Sequence, residues 1–172
     1  MVKLLGASVL VLGSGLAGVS VGGNYTRRPR ELKSLQTALK LLATEISYAL
    51  SPLPEAMANV AARSPAEAAS LFRVAGAELA ANTGGGAAQA WQKATARFGL
   101  NTSLTGNDLA LVNQLGQALG ISDRDDQMSH LELVLHQIDL QIDEAQAAAA
   151  KNARLWNYLG FLGGLALALI LY

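Results

Sequence analysis

Two runs without a charged residue, Leu4 to Val21 at the amino end and Leu155 to Tyr172 at the carboxyl end, limit what this chain can fold into. Each is 18 residues long, about 27 Å as an α-helix, at the short end of what crosses a bilayer. The overall composition points the same way. With 51% hydrophobic and 15% charged residues and a mean hydropathy of +0.27, the chain is too apolar for a solvated tail and apolar even for a soluble domain. Lys3, the apolar stretch and its small residues also suit a cleaved signal peptide. However, Arg27, Arg28, Arg30 and Lys33 follow at once, and positive charge there resists translocation, which favours a retained anchor. The expected organisation is a transmembrane helix over 1–23, one helical bundle domain over 24–154 and a second transmembrane helix over 155–172.

Basic residues beside the spans set the orientation. Lys3 alone lies outside them, whereas Arg27, Arg28, Arg30 and Lys33 flank the first on its inner side and Lys151 and Arg154 flank the second. The central region is therefore expected to be cytoplasmic, with both termini on the far side. Ser14, Gly18 and Gly22 in the first span, and Gly160 and Gly164 in the second, recur every four residues. That spacing lets helix backbones approach closely, so these positions are expected to pack the spans on each other or on partner spans.

Gly13-Ser14-Gly15-Leu16-Ala17-Gly18 matches a dinucleotide-binding fingerprint, and Ser8 to Leu12 before it resembles a strand. Its context argues against that reading. A nucleotide fold needs a helix after the glycines and then a second strand ending in an acidic residue. Here the chain reaches Arg27-Arg28-Pro29-Arg30 and then a helical pattern, with no later alternating strands.

Between the spans the hydrophobic period is helical throughout. From Pro29 on, Leu32, Leu35, Leu39, Leu42, Ile46 and Ala49 form a seam on a long first helix that ends before Pro52. Met57 and Val60 predict a short second helix closed by Arg63 and Ser64. Ser64, Pro65 and Glu67 read as a capping box with proline at the first helical position, opening a third helix whose apolar face is Leu71, Phe72, Ala75 and Leu79. Asn82-Thr83-Gly84-Gly85-Gly86 breaks the pattern. It reads as a loop rather than a phosphate cradle, because no Gly-Lys-Ser/Thr follows. Ala87, Trp91, Ala94 and Phe98 mark a fourth helix stopping near Gly99. Thr105 and Asp108 cap a fifth, with Leu109, Val112, Leu115 and Leu119 inward and Gly120 at its end. Ser122 opens the sixth, where Asp123, Asp125 and Asp126 meet the positive end of the helix dipole and Met128, Leu131, Leu135, Ile138, Ile142, Ala145 and Ala149 continue a heptad seam. No Gly or Pro intervenes from Ser122 to Leu159, so this helix is expected to run on into the second span and to move with it as one body. The fold class is all-α: a six-helix cytoplasmic bundle flanked by two transmembrane helices.

Little in the sequence points to catalysis. With no cysteine, the chain has no disulfide, no thiolate metal site and no thiol nucleophile. His130 and His136 are six apart on one helix and diverge, unlike an i, i+4 metal pair. Asp123-Arg124-Asp125-Asp126 is accounted for as first-turn charge without a divalent ion. From Asn24 to Arg154 there are 12 basic and 13 acidic residues and no basic face to follow a phosphate backbone, so nucleic acid is not an expected partner. No enzyme activity, cofactor or metal is expected.

The stretch Gly120-Ile121-Ser122-Asp123-Arg124-Asp125-Asp126-Gln127, with His130-Leu131 one turn on, resembles the G-x-S-D-R-x-x-Q-x-x-H-L signature of the stage III sporulation protein AB family. Pro29-Arg30-Glu31-Leu32, Glu45-Ile46, Leu53-Pro54-Glu55-Ala56 and the ending from Lys151-Asn152 through Trp156, Leu159-Gly160 and Gly163-Gly164 resemble the same family in the same order. Only the alanine-rich Ala147 to Ala150 and the glycine-rich first span depart from it.

The resemblance implies a multi-pass protein of the mother-cell membrane around the forespore, part of a secretion-like channel complex that joins the two compartments. It also implies a bundle similar to the F-type platform domain of type II secretion and type IV pilus systems. The partners implied are membrane lipid, the other stage III sporulation membrane proteins and among them the AA secretion-type ATPase, with homo-oligomers as a further possibility. On this reading Asp123, Arg124, Asp126, Gln127 and His130 form a packing or docking patch. The alternatives are a membrane-anchored helical sensor relaying a signal through the last helix, and a nucleotide-binding membrane enzyme using Gly13 to Gly18.

Overall fold

In the computed structural model, the described residues are 26–49, 51–81, 85–120 and 123–171, with side chains beyond Asn152 described only at Leu155 and Leu162. They form six α-helices and no strand: α1 Arg27–Thr44, α2 Leu53–Arg63, α3 Ala66–Ala80, α4 Gly86–Gly99, α5 Gly106–Leu115 and α6 Arg124–Leu171. The amino-terminal run Leu4 to Val21, with Gly18 and Gly22, lies outside the described residues. Among those described, no helix is long and apolar enough to cross a membrane. The last helix is continuous across its 48 residues. The chain divides into two units, Arg30–Asp143, which holds the bundle, and the two ends, Met1–Pro29 with Glu144–Tyr172.

The seam on α1 is buried at Leu32, Leu35, Leu39 and Leu42, as its spacing predicts. At Glu45 the helix widens into a π-turn, Glu45–Ala49, that the spacing does not announce. Side-chain contacts hold it. The Glu45 carboxylate is buried and accepts from Asn59 Nδ2 at 3.1 Å and Arg63 Nη1 at 3.3 Å, both on α2. Ser47 donates its hydroxyl to Met128 Sδ at 3.1 Å, and its carbonyl is approached by Arg124 Nη1 at 3.5 Å. Of these contacts only Arg124 reaches the backbone ladder, and the others hold the π-turn's side chains against α2 and α6. Gln36, eleven residues before Ser47, meets Asp139, eleven after Met128, at 3.1 Å, so α1 and α6 run antiparallel.

Two expected boundaries move. Ser64 does not cap α3: its backbone N–H closes α2 on Val60 O, and its buried hydroxyl has no hydrogen-bond partner among the described residues. Pro65 forces the residue before it into extended backbone and is itself extended (φ −55, ψ 147), so α3 starts at Ala66, one residue later than expected. Glu67 turns instead to the Arg30 guanidinium on α1. Its own backbone N–H first, and Arg30 second, hold its carboxyl below the usual carboxylate range.

The fifth helix keeps its expected start. Thr105 and Asp108 form a reciprocal capping box, with Thr105 N donating to Asp108 Oδ2 at 2.8 Å and Asp108 N to Thr105 Oγ1 at 3.3 Å. It ends at Leu115, however, and residues 116–120 form turns with Gly120 at φ +79. The cause lies on α4. Trp91 Nε1 donates to Val112 O at 2.7 Å, the carbonyl that Gly116 N–H would take in a continuing helix, and Gly116 N–H bonds Asn113 O instead. The indole also fills the space above Gly116, where an added Cβ would lie 2.6 Å from Trp91 Cδ1. Phe72 of α3 meets the indole edge-on, centroids 5.6 Å apart, so α3, α4 and α5 share one aromatic centre.

On α6 the buried stripe is Leu131, Val134, Ile138, Ile142, Ala145 and Ala149. Met128 and Leu135, expected in the seam, are only half-buried, and Val134 replaces Leu135.

Candidate functional site

The signature residues lie at the start of α6. Asp123 immediately precedes the helix, and its Oδ1 accepts from Asp126 N at 2.9 Å while its carbonyl accepts from Gln127 N at 3.0 Å. It is therefore an N-cap, and an aspartate there satisfies an otherwise orphan donor and complements the helix dipole. The expected first-turn acids become an N-cap, Asp123, followed by Asp125 and Asp126 in the first turn. Ser122, expected to open the helix, lies outside the described residues.

Arg124, the first residue of α6, turns back toward the π-turn carbonyl of Ser47. That contact is at the outer limit of hydrogen bonding, and the exposed guanidinium has further donors beyond it. Arg124 and half-buried Gln127 line a cleft of about 230 Å³ whose other walls are Ile46, Ser51, Leu53, Ala56 and Gly120. Asp125, Asp126 and His130 are exposed, and none of them lines the cleft. The structure thus brings together Asp123, Arg124 and Gln127, and leaves His130 one turn along on the outer surface.

Sequence reasoning missed the opposite wall. Glu45 and Ser47 sit on the π-turn and hold it against α2 and α6. The available signals were Glu45, a carboxylate next to the apolar seam of α1, and the family landmarks Glu45-Ile46 and Leu53-Pro54-Glu55-Ala56, which supply Ile46, Leu53 and Ala56 to the cleft. Glu31, also on α1, is buried in the same way and accepts from Ser103 N at 2.6 Å, pinning the loop between α4 and α5. Among the described residues no group of three or more His, Asp or Glu side chains comes together as a metal site requires. Of Gly160 and Gly164 the structure describes the helical backbone.

The family model for stage III sporulation protein AB matches residues 3–172. The chain belongs to the stage III sporulation protein AB family. Stage III sporulation protein AB of Bacillus subtilis (strain 168) is 34% identical over 172 residues, covering 99% of each chain. A solved structure of a stage III sporulation protein AB superposes with a TM-score of 0.67 at 28% identity, over 72% of this chain and 97% of its own. Membership of the stage III sporulation protein AB family therefore extends across the bundle and both charge-free ends. Of the residues that carry the family signature, Asp123 caps α6 and Gly120, Arg124 and Gln127 wall the cleft.

Proposed function

We propose that this chain is a non-enzymatic membrane scaffold in the secretion-like channel complex between mother cell and forespore. The observation that carries the reading is the family match over residues 3–172, which takes in both charge-free 18-residue runs as well as the bundle. A chain of this family with two charge-free 18-residue ends around a helical domain suits an anchored platform better than a diffusible factor. The basic flanks at Arg27, Arg28, Arg30, Lys33, Lys151 and Arg154 support a bundle on the cytoplasmic side of the membrane, which in this reading is that of the mother cell. In that position the capped start of α6 is the docking patch for the AA secretion-type ATPase, with the other stage III membrane proteins packing at the spans. Arg124 is the residue on which docking centres, because it is exposed, makes a single long contact to Ser47, and its remaining donors fit a carboxylate.

The chain has no cysteine, so single cysteines report topology directly. In full-length protein expressed in a bacterial cytoplasmic membrane, a membrane-impermeant maleimide is expected to label Lys3→Cys in intact cells. Asn107→Cys, at an exposed position of α5, should be labelled only after permeabilisation. Labelling of Asn107→Cys from outside, or release of the protein by alkaline carbonate, overturns the topology.

A further inference from the structure

Two surfaces away from the α6 cleft fit each other in shape and charge. The first is a groove of about 490 Å³ between α2 and α3, lined by Ala58, Ala61 and Ala62 on one side and Gly76, Ala77 and Ala80 on the other. Gly76 lets the two helices approach, since an added Cβ would lie 3.3 Å from Met57 Cβ. Apart from Pro54 at one end, the buried Phe72 and Arg73 on the rim, its walls are glycine and alanine, so the groove accepts large side chains rather than offering them. Arg73, exposed on its rim, makes no hydrogen bond or ion pair among the described residues.

The second surface is a ridge on α6. Leu133 and Leu140 are 47% and 56% exposed, far from the usual burial of leucine, and at a spacing of seven they share one helix face. Along one flank run Glu132, His136, Asp139 and Asp143, all exposed and spaced 4, 3 and 4 residues apart. The flank is thus net acidic, and Glu132 and Asp143 have no ion-pair or hydrogen-bond partner among the described residues. Two leucines seven residues apart are about 10.5 Å apart along the axis, and the groove, from Pro54 to Ala62, is about 12 Å long.

We infer that copies of this chain associate head to tail, the Leu133/Leu140 ridge of one copy seated in the alanine groove of the next, with Arg73 facing the acidic flank. Because the two surfaces differ, the contact is heterologous and repeats, closing into a ring or extending according to the rotation per copy. This goes beyond the docking role of the α6 start and uses none of its residues.

The test uses full-length protein in detergent or nanodiscs, with the single-cysteine variants Ala77→Cys on the groove rim and His136→Cys between the two leucines. Treated with a short bis-maleimide, the mixture is expected to give a cross-linked dimer containing one of each, while each variant alone gives at least tenfold less. Adding Leu133→Glu and Leu140→Glu to the His136→Cys chain, with helicity retained by circular dichroism, should lower the mixed product at least tenfold, and Arg73→Glu should lower it as well. A product from either single variant alone that equals the mixed one indicates a symmetric interface and overturns the inference. Absence of any mixed product does so too.

Discussion

Trp91→Ala is expected to lower the stability of the bundle by about 3–5 kcal/mol, the range for deleting a large buried aromatic. Trp91 is 1% exposed, packs edge-on against Phe72, and is the donor to Val112 O, so its removal empties the centre shared by α3, α4 and α5. Trp91→Phe separates the two contributions. It keeps most of the ring but orphans a buried carbonyl, for an expected loss of about 1–3 kcal/mol. Gly116→Ala offers an independent check, because its methyl group would collide with the indole. It should destabilise the wild-type background and be close to neutral beside Trp91→Ala, a coupling that a double-mutant cycle in urea denaturation measures. Additive effects, or a Trp91→Ala loss below about 1 kcal/mol on that scale, would contradict this packing.

Gly120→Ala has the second largest expected effect. Gly120 sits at φ +79, a conformation that disfavours any side chain by roughly 1–2 kcal/mol. Its added Cβ would lie 2.8 Å from Ala87 Cβ on α4, too short a branch to swing aside, and overpacking of this kind costs about 1–3 kcal/mol. The expected total is about 2–5 kcal/mol on those two scales. The strain falls on a wall of the cleft, so the urea midpoint should drop even though no core side chain is removed. Ala87→Gly in the same chain should restore part of the loss by clearing the collision, leaving the backbone cost in place.

The helices and their inward faces were legible in the sequence because their causes are local. The spacing of Leu32, Leu35, Leu39 and Leu42, the Thr105/Asp108 capping box and the glycine at position 120 all act within a turn or two of themselves. What escaped depends on contacts between distant residues. The heptad seam of α1 runs unbroken through Ile46 in sequence, and the π-turn there is held by Asn59, Arg63, Arg124 and Met128, which lie 14 to 81 residues away. The early end of α5 is set by Trp91, 21 residues upstream of the carbonyl it captures. Ser64 fitted the pattern of a cap, but the proline after it held its backbone extended and shifted the helix start past its reach.

The candidate site was half legible for the same reason. Asp123, Arg124 and Gln127 stood out as a motif, whereas Ile46, Ser51, Leu53 and Ala56, which face Arg124 and Gln127 across the cleft, were legible only as helix seam and family landmarks without a shared site. The structure also divides the motif by role. Asp123 serves the fold as an N-cap, and Arg124 is the member whose donors remain available to a partner.

That division makes one binding measurement the most direct test of the scaffold reading. Full-length protein in nanodiscs is titrated with the matching AA secretion-type ATPase, comparing wild type with Arg124→Glu and with Asp123→Asn, which removes a charge but keeps an N-cap acceptor. The expected result is binding by the wild type and by Asp123→Asn, and at least tenfold weaker binding by Arg124→Glu with its helicity intact. Wild-type binding that Arg124→Glu leaves unchanged would contradict docking at the start of α6, and no wild-type binding at all would contradict the ATPase platform itself.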